Sequence, residues 1–344
     1  MKTRLLSLAG AVAIPFTAQA GSLTVPNQDI TLSGGISGAY LYNTDSKRDA
    51  YSVTDALIDL STPAKAGTVS FEVGLGALAQ NTLATSAAAL TAIGGDGTDA
   101  GSIGVQYGWI SVMPIEGLKV DAGKLATNIG YEVAPSYADG NILRGLVWFN
   151  QPVYYNGARA TYSMSGFNVY AEANKDAFGA GSGSGFGING SVANFNAALN
   201  VLSVVNSISI VDVILSTKLG GFDVAANVDY ETKAKAAKTP GTDDNAYAAA
   251  LYATFPMGAK ASLPVRVEYV SDGTSGIYGL GAAGASNTAW TFTVTPTYNF
   301  SDSTFVRAEL ALVTTDKKVG QFVDDKGAAT DSNLIVGFQG GVRF

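Results

Sequence analysis

The 344-residue sequence contains no cysteine and no histidine. The first absence excludes disulfide staples, thiolate metal ligands and cysteine nucleophiles. The second removes the commonest general base and metal-binding side chain. Charge is scarce as well: Asp, Glu, Lys and Arg together make 14% of the chain, with a net charge of −7. An acidic chain of this kind is a poor partner for nucleic acid. Long hydrophobic runs are also missing. Although 47% of the residues are hydrophobic, no stretch supplies the roughly 18 uninterrupted apolar residues of a membrane-spanning helix. Glycine, by contrast, is abundant at 41 residues.

The first twenty residues read as a secretory signal. Lys2 and Arg4 form a positive start, LLSLAGAVAI is a short apolar core broken by Pro15, and Ala18 to Ala20 (AQA) make a small-x-small cleavage site. Residues 21–344 then form one domain. Removing Lys2 and Arg4 leaves 19 basic against 28 acidic residues, a charge of −9.

Apolar and polar residues alternate strictly along most of this domain, which is the signature of strands with two unlike faces. In GFQGGVRF, Phe338, Gly340, Val342 and Phe344 share one file and Gln339, Gly341 and Arg343 the other. In WTFTVTPTYNF, Trp290, Phe292, Val294, Pro296, Tyr298 and Phe300 oppose Thr291, Thr293, Thr295, Thr297 and Asn299. Five consecutive hydroxyl or amide positions line a dry core only at high cost. Phe222 to Glu231, Val265 to Tyr269 and Thr304 to Leu312 repeat the pattern, with Arg266, Glu268, Arg307 and Glu309 on the polar file.

These segments predict an all-β protein: a transmembrane antiparallel up-and-down β-barrel of about 16 strands, in which every backbone group pairs and no edge is left. The strands are expected at 28–42, 51–62, 67–80, 103–114, 117–129, 152–164, 166–176, 185–194, 195–205, 208–219, 221–232, 245–256, 262–272, 288–300, 303–315 and 332–344. The 179–210 stretch leaves 14 or 18 strands as alternatives. Short turns alternate with long connections at 81–102, 130–151, 233–244, 273–287 and 316–331, as short periplasmic turns and long external loops would. Tyr40, Tyr42, Trp109, Tyr154, Tyr162, Tyr230, Tyr269, Trp290, Tyr298, Phe300 and Phe344 suit aromatic girdles at the two membrane interfaces.

The stretch from Gly123 to Glu132 (GKLATNIGYE), an Arg and aromatic run ahead of Pro152, and YYNGARATYS resemble the OmpL-like β-barrel porin family. The local likeness covers roughly residues 117–165. It implies an outer-membrane diffusion channel for small hydrophilic solutes and ions, with a loop after strand 5 folded inward. The final strand, with Phe338, Val342 and Phe344 in phase, resembles the C-terminal signal read by the barrel-insertion machinery. Outer-membrane lipid and lipopolysaccharide are the expected surroundings. A homotrimer is implied, with Gly34, Gly35 and Gly38 permitting close approach.

An inward loop carries its charges to the narrowest part of a bore, where they set selectivity. Glu132, Asp139 and Arg144 are the charges of 130–151, and alternation points Lys119, Arg159, Arg266, Arg307 and Arg343 into the lumen. These eight are the candidate constriction. The bland reading is a packed brace built on Ile142, Leu143, Leu146, Trp148 and Phe149, with Arg144 neutralised by Glu268 or Glu309. Lys124 shares the outward phase of Leu118, Val120 and Ala122 and calls for a bulge or a strand end. GAGSGSGFG (179–187) lacks the strand-to-helix context of a phosphate cradle and reads as loop plus strand start. Asp243 with Asp244, and Asp324 with Asp325 and Asp331, read as solvated loop charge, so no metal or other cofactor is expected. No enzyme is expected without histidine. The alternative to a channel is a plugged barrel serving as anchor or adhesin.

Overall fold

The computed structural model describes residues 23–25, 29–79, 81–83, 103–175, 177–179, 181–280 and 286–344. The expected signal over 1–20 lies outside the described residues, as does most of the 81–102 connection. The strands are β1 (Leu23–Val25), β2 (Ile30–Asn43), β3 (Arg48–Ser61), β4 (Val69–Leu78), β5 (Gly104–Ile115), β6 (Leu118–Ala126), β7 (Tyr154–Met164), β8 (Phe167–Lys175), β9 (Ser182–Val192), β10 (Phe195–Val204), β11 (Ile208–Leu219), β12 (Phe222–Lys233), β13 (Asn245–Pro256), β14 (Ala261–Gly273), β15 (Asn287–Val294), β16 (Thr297–Asn299), β17 (Thr304–Val323) and β18 (Ala329–Arg343). β18 pairs antiparallel with β2, from Ile335↔Asn43 to Arg343↔Gly35, and so closes the sheet.

The barrel has sixteen staves. β15 and β16 are one stave interrupted at Thr295 and Pro296, and β1 is a stub paired with β2 from Leu23↔Leu32 to Val25↔Ile30. Where β18 ends, Gly34 and Phe344 exchange two backbone bonds of 3.0 Å, and β1 continues the ladder beyond them. The interruption is a proline effect, because Pro296 has no N–H to give. Its neighbours bridge the gap: Thr295 N–H donates to the Pro264 carbonyl (2.9 Å) and Ala308 N–H to that of Pro296 (3.1 Å).

Side chains follow the two files. Trp290 and Phe292 are 46% and 49% exposed, whereas Thr291 and Thr293 between them are 0% and 2% exposed. The exposed file is the lipid-facing one, since lipid tails solvate apolar side chains as a core would. Aromatic rings meet near both ends of this face: Tyr230 with Tyr247 (5.1 Å between centroids) and Tyr269 with Trp290 (4.9 Å) across strands at one end, Phe222 with Phe255 (5.0 Å) across strands and Tyr298 with Phe300 (5.2 Å) along one segment at the other.

Two expectations change. Trp109 and Tyr154 do not join a girdle: both stack on Tyr107, at 5.7 and 5.1 Å, beside buried Leu125, Tyr155, Ala134 and Tyr137. The expected loop 316–331 is mostly strand, because β17 runs on to Val323 and β18 begins at Ala329. Val319 and Phe322 are buried in the main apolar cluster, and that burial draws the hairpin out past the membrane face.

Leu310, exposed near the middle of the spanning part of β17, tests the lipid-facing assignment. Leu310→Arg is expected to cost about 2–4 kcal/mol in a urea unfolding equilibrium performed in lipid bilayers. A neutral result would mean that this file does not face hydrocarbon.

Candidate functional site

The connection of residues 127–153, between β6 and β7, collects most of the charged side chains on the polar file. Its shape depends on two glycines. Gly130 has φ +90, and any Cβ there would collide with the Gln151 amide. Gly145 has ordinary dihedrals, but the Glu268 carboxylate occupies the space a Cβ would need. Beyond Gly145 the chain makes one helical turn, Leu146–Phe149.

Strand carboxylates accept the amides of this connection. Glu309 on β17 takes Ile142 N–H (2.6 Å) and Leu143 N–H (3.0 Å), together with the Thr295 hydroxyl (2.8 Å). Glu268 on β14 takes Val147 N–H (3.0 Å) and the Thr291 hydroxyl (2.5 Å). Asp55 on β3 takes Ser136 N–H (3.0 Å), and Asn227 on β12 takes Tyr131 N–H (3.1 Å). Gln151 donates to Asp229 (2.6 Å), and Asn141 to Thr295 (2.6 Å). An irregular segment cannot satisfy its own backbone, and buried amides need such partners.

Ionic contacts reinforce the same joint. Glu132 pairs with Arg266 at 2.8 Å and accepts Gly145 N–H (2.9 Å) and the Tyr252 hydroxyl (3.2 Å). Arg266, fully buried, also pairs with Glu268 (3.3 Å) and donates to the Leu143 carbonyl (2.9 Å). Arg307 donates to the carbonyls of Ser136 (2.6 Å) and Asp139 (2.7 Å), and Arg343 to that of Tyr137 (3.3 Å). Arg159 pairs with Glu172 at 2.8 Å and donates to the Ala126 carbonyl (2.8 Å) and to Asn128 (3.3 Å).

Seven of the eight candidate constriction residues therefore contact one another or this connection. Lys119 does not: its ion partner is Asp121 on its own strand, at 3.0 Å. Arg144 also differs from the bracing expectation. Glu268 and Glu309 are occupied by amides, so its guanidinium turns to the carbonyls of Val133 (2.9 Å), Ile142 (3.2 Å) and Ala134, and pairs with Asp139 at 3.5 Å. Phe338 and Val342 lie exposed on the lipid-facing file. Lys124 stays in unbroken register with Asn156, two residues before its strand ends, with its ammonium 5.7 Å from the Tyr154 ring centroid.

The anchors Asp55, Asn227, Asp229 and Gln151 were not among the sequence candidates. For the three strand residues the only sequence signal is acid or amide on the polar file; Gln151, in the connection, carried none. At the rim, Asp243 accepts Thr274 N–H and hydroxyl, both at 2.9 Å, which holds its carboxyl below the ordinary range. Asp324 caps its own turn through Lys326 N–H (2.9 Å) and Ala328 N–H (2.8 Å).

The described interior has an apolar region and an open one. Leu83, Ile142, Leu143, Leu146 and Val147 join Tyr278, Leu280 and Phe322 in one buried cluster. A cavity of about 650 Å³ lies against the other side of the connection, reached by Tyr131, Tyr137, Asp139, Lys218, Arg307 and Arg343.

The model of the beta-barrel porin-2, OmpL-like family matches residues 29–344. The chain belongs to this OmpL-like porin family. Solved barrels share the fold at low identity. OmpF of Salmonella typhi, solved with daunomycin, is 12% identical with a TM-score of 0.66, over 94% of this chain and 100% of that one. The outer membrane channel DcaP of Acinetobacter baumannii is 13% identical with a TM-score of 0.63, over 92% and 97%. An anion-selective porin from Comamonas acidovorans is 14% identical with a TM-score of 0.60, over 92% and 99%. No curated protein sequence matches the chain. Family and neighbours point to a bacterial outer membrane.

Removing one partner of a buried ion cluster strands the others. Arg266→Met is expected to destabilise the refolded porin by about 3–5 kcal/mol, read from its urea midpoint. Adding Glu132→Gln and Glu268→Gln should restore more than half. A loss of about 0–1 kcal/mol, typical of exposed pairs, would mean that water solvates this trio.

Proposed function

We propose that this porin-family chain is a passive, non-enzymatic diffusion channel for small hydrophilic solutes and ions, narrowed by residues 130–151 folded into its bore. One observation carries the reading: the amides and charges of that connection bond to polar-file residues of β3, β12, β14 and β17, which surround it. A sixteen-strand barrel is wide enough to leave an aqueous bore unless loops fill it. Glu132, Asp139 and Arg144, facing Arg159, Arg266, Arg307 and Arg343, would act on solutes at the narrowest level through field and radius. The structural neighbours described as a channel and as a porin support the same reading. Without histidine, no imidazole base is present for hydrolytic chemistry.

A second reading has its own support. The apolar cluster of Ile142, Leu146, Tyr278, Leu280 and Phe322 fits a plugged anchor or adhesin barrel. In either case lipid and lipopolysaccharide would cover the apolar file, residues 1–20 would act as the export signal, and the insertion machinery would read Phe338, Val342 and Phe344. Three copies would meet at the outer face of β2, where Gly38 is exposed; Gly34 and Gly35 are buried, Gly35 against Tyr137.

Single-channel recording of refolded residues 21–344 in a planar bilayer separates the readings. Discrete, nearly ohmic steps are expected, and Glu309→Gln, which weakens the acceptor of two amides of the connection, should enlarge or destabilise them. A folded barrel that never conducts would replace the channel with the plugged anchor.

A further inference from the structure

Several cations around the interior come with carboxylate partners. Lys119 has Asp121, Arg144 has Asp139, Arg159 has Glu172, Lys218 has Asp223, and Arg266 has both Glu132 and Glu268. Arg307 and Arg343 break the pattern: among the described residues neither forms an ion pair. Their hydrogen bonds go to neutral oxygens. Arg307 donates to Gln339 Oε1 (2.6 Å) and to the Ser136 and Asp139 carbonyls (2.6 and 2.7 Å). Arg343 donates to the Asp302 and Tyr137 carbonyls (both 3.3 Å) and to Asn299 Oδ1 (3.1 Å). Each guanidinium has five N–H donors, so both keep donors to spare.

A shared ring fixes their spacing. The guanidinium carbons of Arg307 and Arg343 lie 5.4 and 5.3 Å from the centroid of Phe305. Phe305 is buried against Gly341, where a Cβ would come within 2.7 Å of the ring. Both arginines line the 650 Å³ cavity near the short turns. The acids on its wall are already engaged, Asp139 with Arg144 and Asp223 with Lys218. Glu309, on the same strand as Arg307, accepts two amides and a hydroxyl. Among the described residues the cavity therefore carries two cations that no carboxylate pairs directly, and such a concavity concentrates anions. Planar guanidinium forks match the geometry of oxyanions in particular.

We propose that this cavity is a binding site for a small oxyanion, a carboxylate or phosphate group held by Arg307 and Arg343. The site goes beyond the channel reading, since it binds at equilibrium whether or not the barrel conducts. Arg343, the less buried of the two, would meet the anion first; Arg307 would receive it.

The test is equilibrium binding to the full refolded chain in detergent, read from the ³¹P line width of inorganic phosphate. Saturable broadening is expected, reversed by acetate but not by chloride at equal ionic strength. Arg343→Gln should weaken it about tenfold, the loss of one charged hydrogen-bond donor, while the distant exposed Lys65→Gln leaves it unchanged. Broadening that is absent, that chloride removes as well as acetate does, or that persists unchanged in Arg343→Gln would overturn the proposal. Arg307→Gln provides a second arm, scored only where the heat-modifiable gel shift shows a folded barrel.

Discussion

A backbone surrounded by hydrocarbon has no water to bond. Every N–H and C=O within the membrane must find its partner inside the sheet, and each one left unsatisfied costs several kcal/mol. Closure of β18 on β2 follows from this constraint, as does the stub β1, which occupies the edge of β2 beyond Phe344. Even the proline interruption of the β15/β16 stave keeps its bridging bonds on either side. Once the sheet is closed, each side chain has only two directions available. Apolar residues take the lipid, and polar residues are left facing one another across a confined space.

That confined space has its own requirements. Acids such as Glu268 and Glu309 are costly to bury alone, and an irregular segment has amides with no partner of its own. Each need answers the other. The carboxylates accept the amides of Ile142, Leu143 and Val147, and Gly145 is glycine because a carboxylate stands where its side chain would be. Arg266 then balances Glu132 and Glu268 at one point. The interior is held by matched polar groups at its centre and by an apolar cluster around Ile142, Tyr278 and Phe322 to one side.

Strand positions were legible because alternation has a period of two and survives local noise. All sixteen expected segments correspond to staves, and the doubtful 179–210 region resolved as two of them, β9 and β10. Alternation failed where other forces act. Val319 and Phe322 stand among lysines and glycine, and only tertiary burial makes that stretch a strand. Trp109 looked like a girdle residue because sequence phase does not reveal that it will stack on Tyr107, which Tyr154 stacks on in turn. The side on which Glu268 and Glu309 lie was readable; their height, and the path of the loop that carries Arg144, were not. Height depends on the tilt and stagger of the strands, so the exchange of Arg144's expected acids for backbone carbonyls had no trace in the sequence.

The connection of residues 127–153 is tied to strands far apart in the chain. Ser136 reaches back 81 residues to Asp55, while Glu132 and Ile142 reach forward 134 and 167 residues to Arg266 and Glu309. Bonds across such separations close long chain loops, whose entropy cost the intervening strands must offset. Its finished geometry therefore depends on strands drawn from almost the whole length of the wall, so that a change in one distant strand is felt in the segment they share.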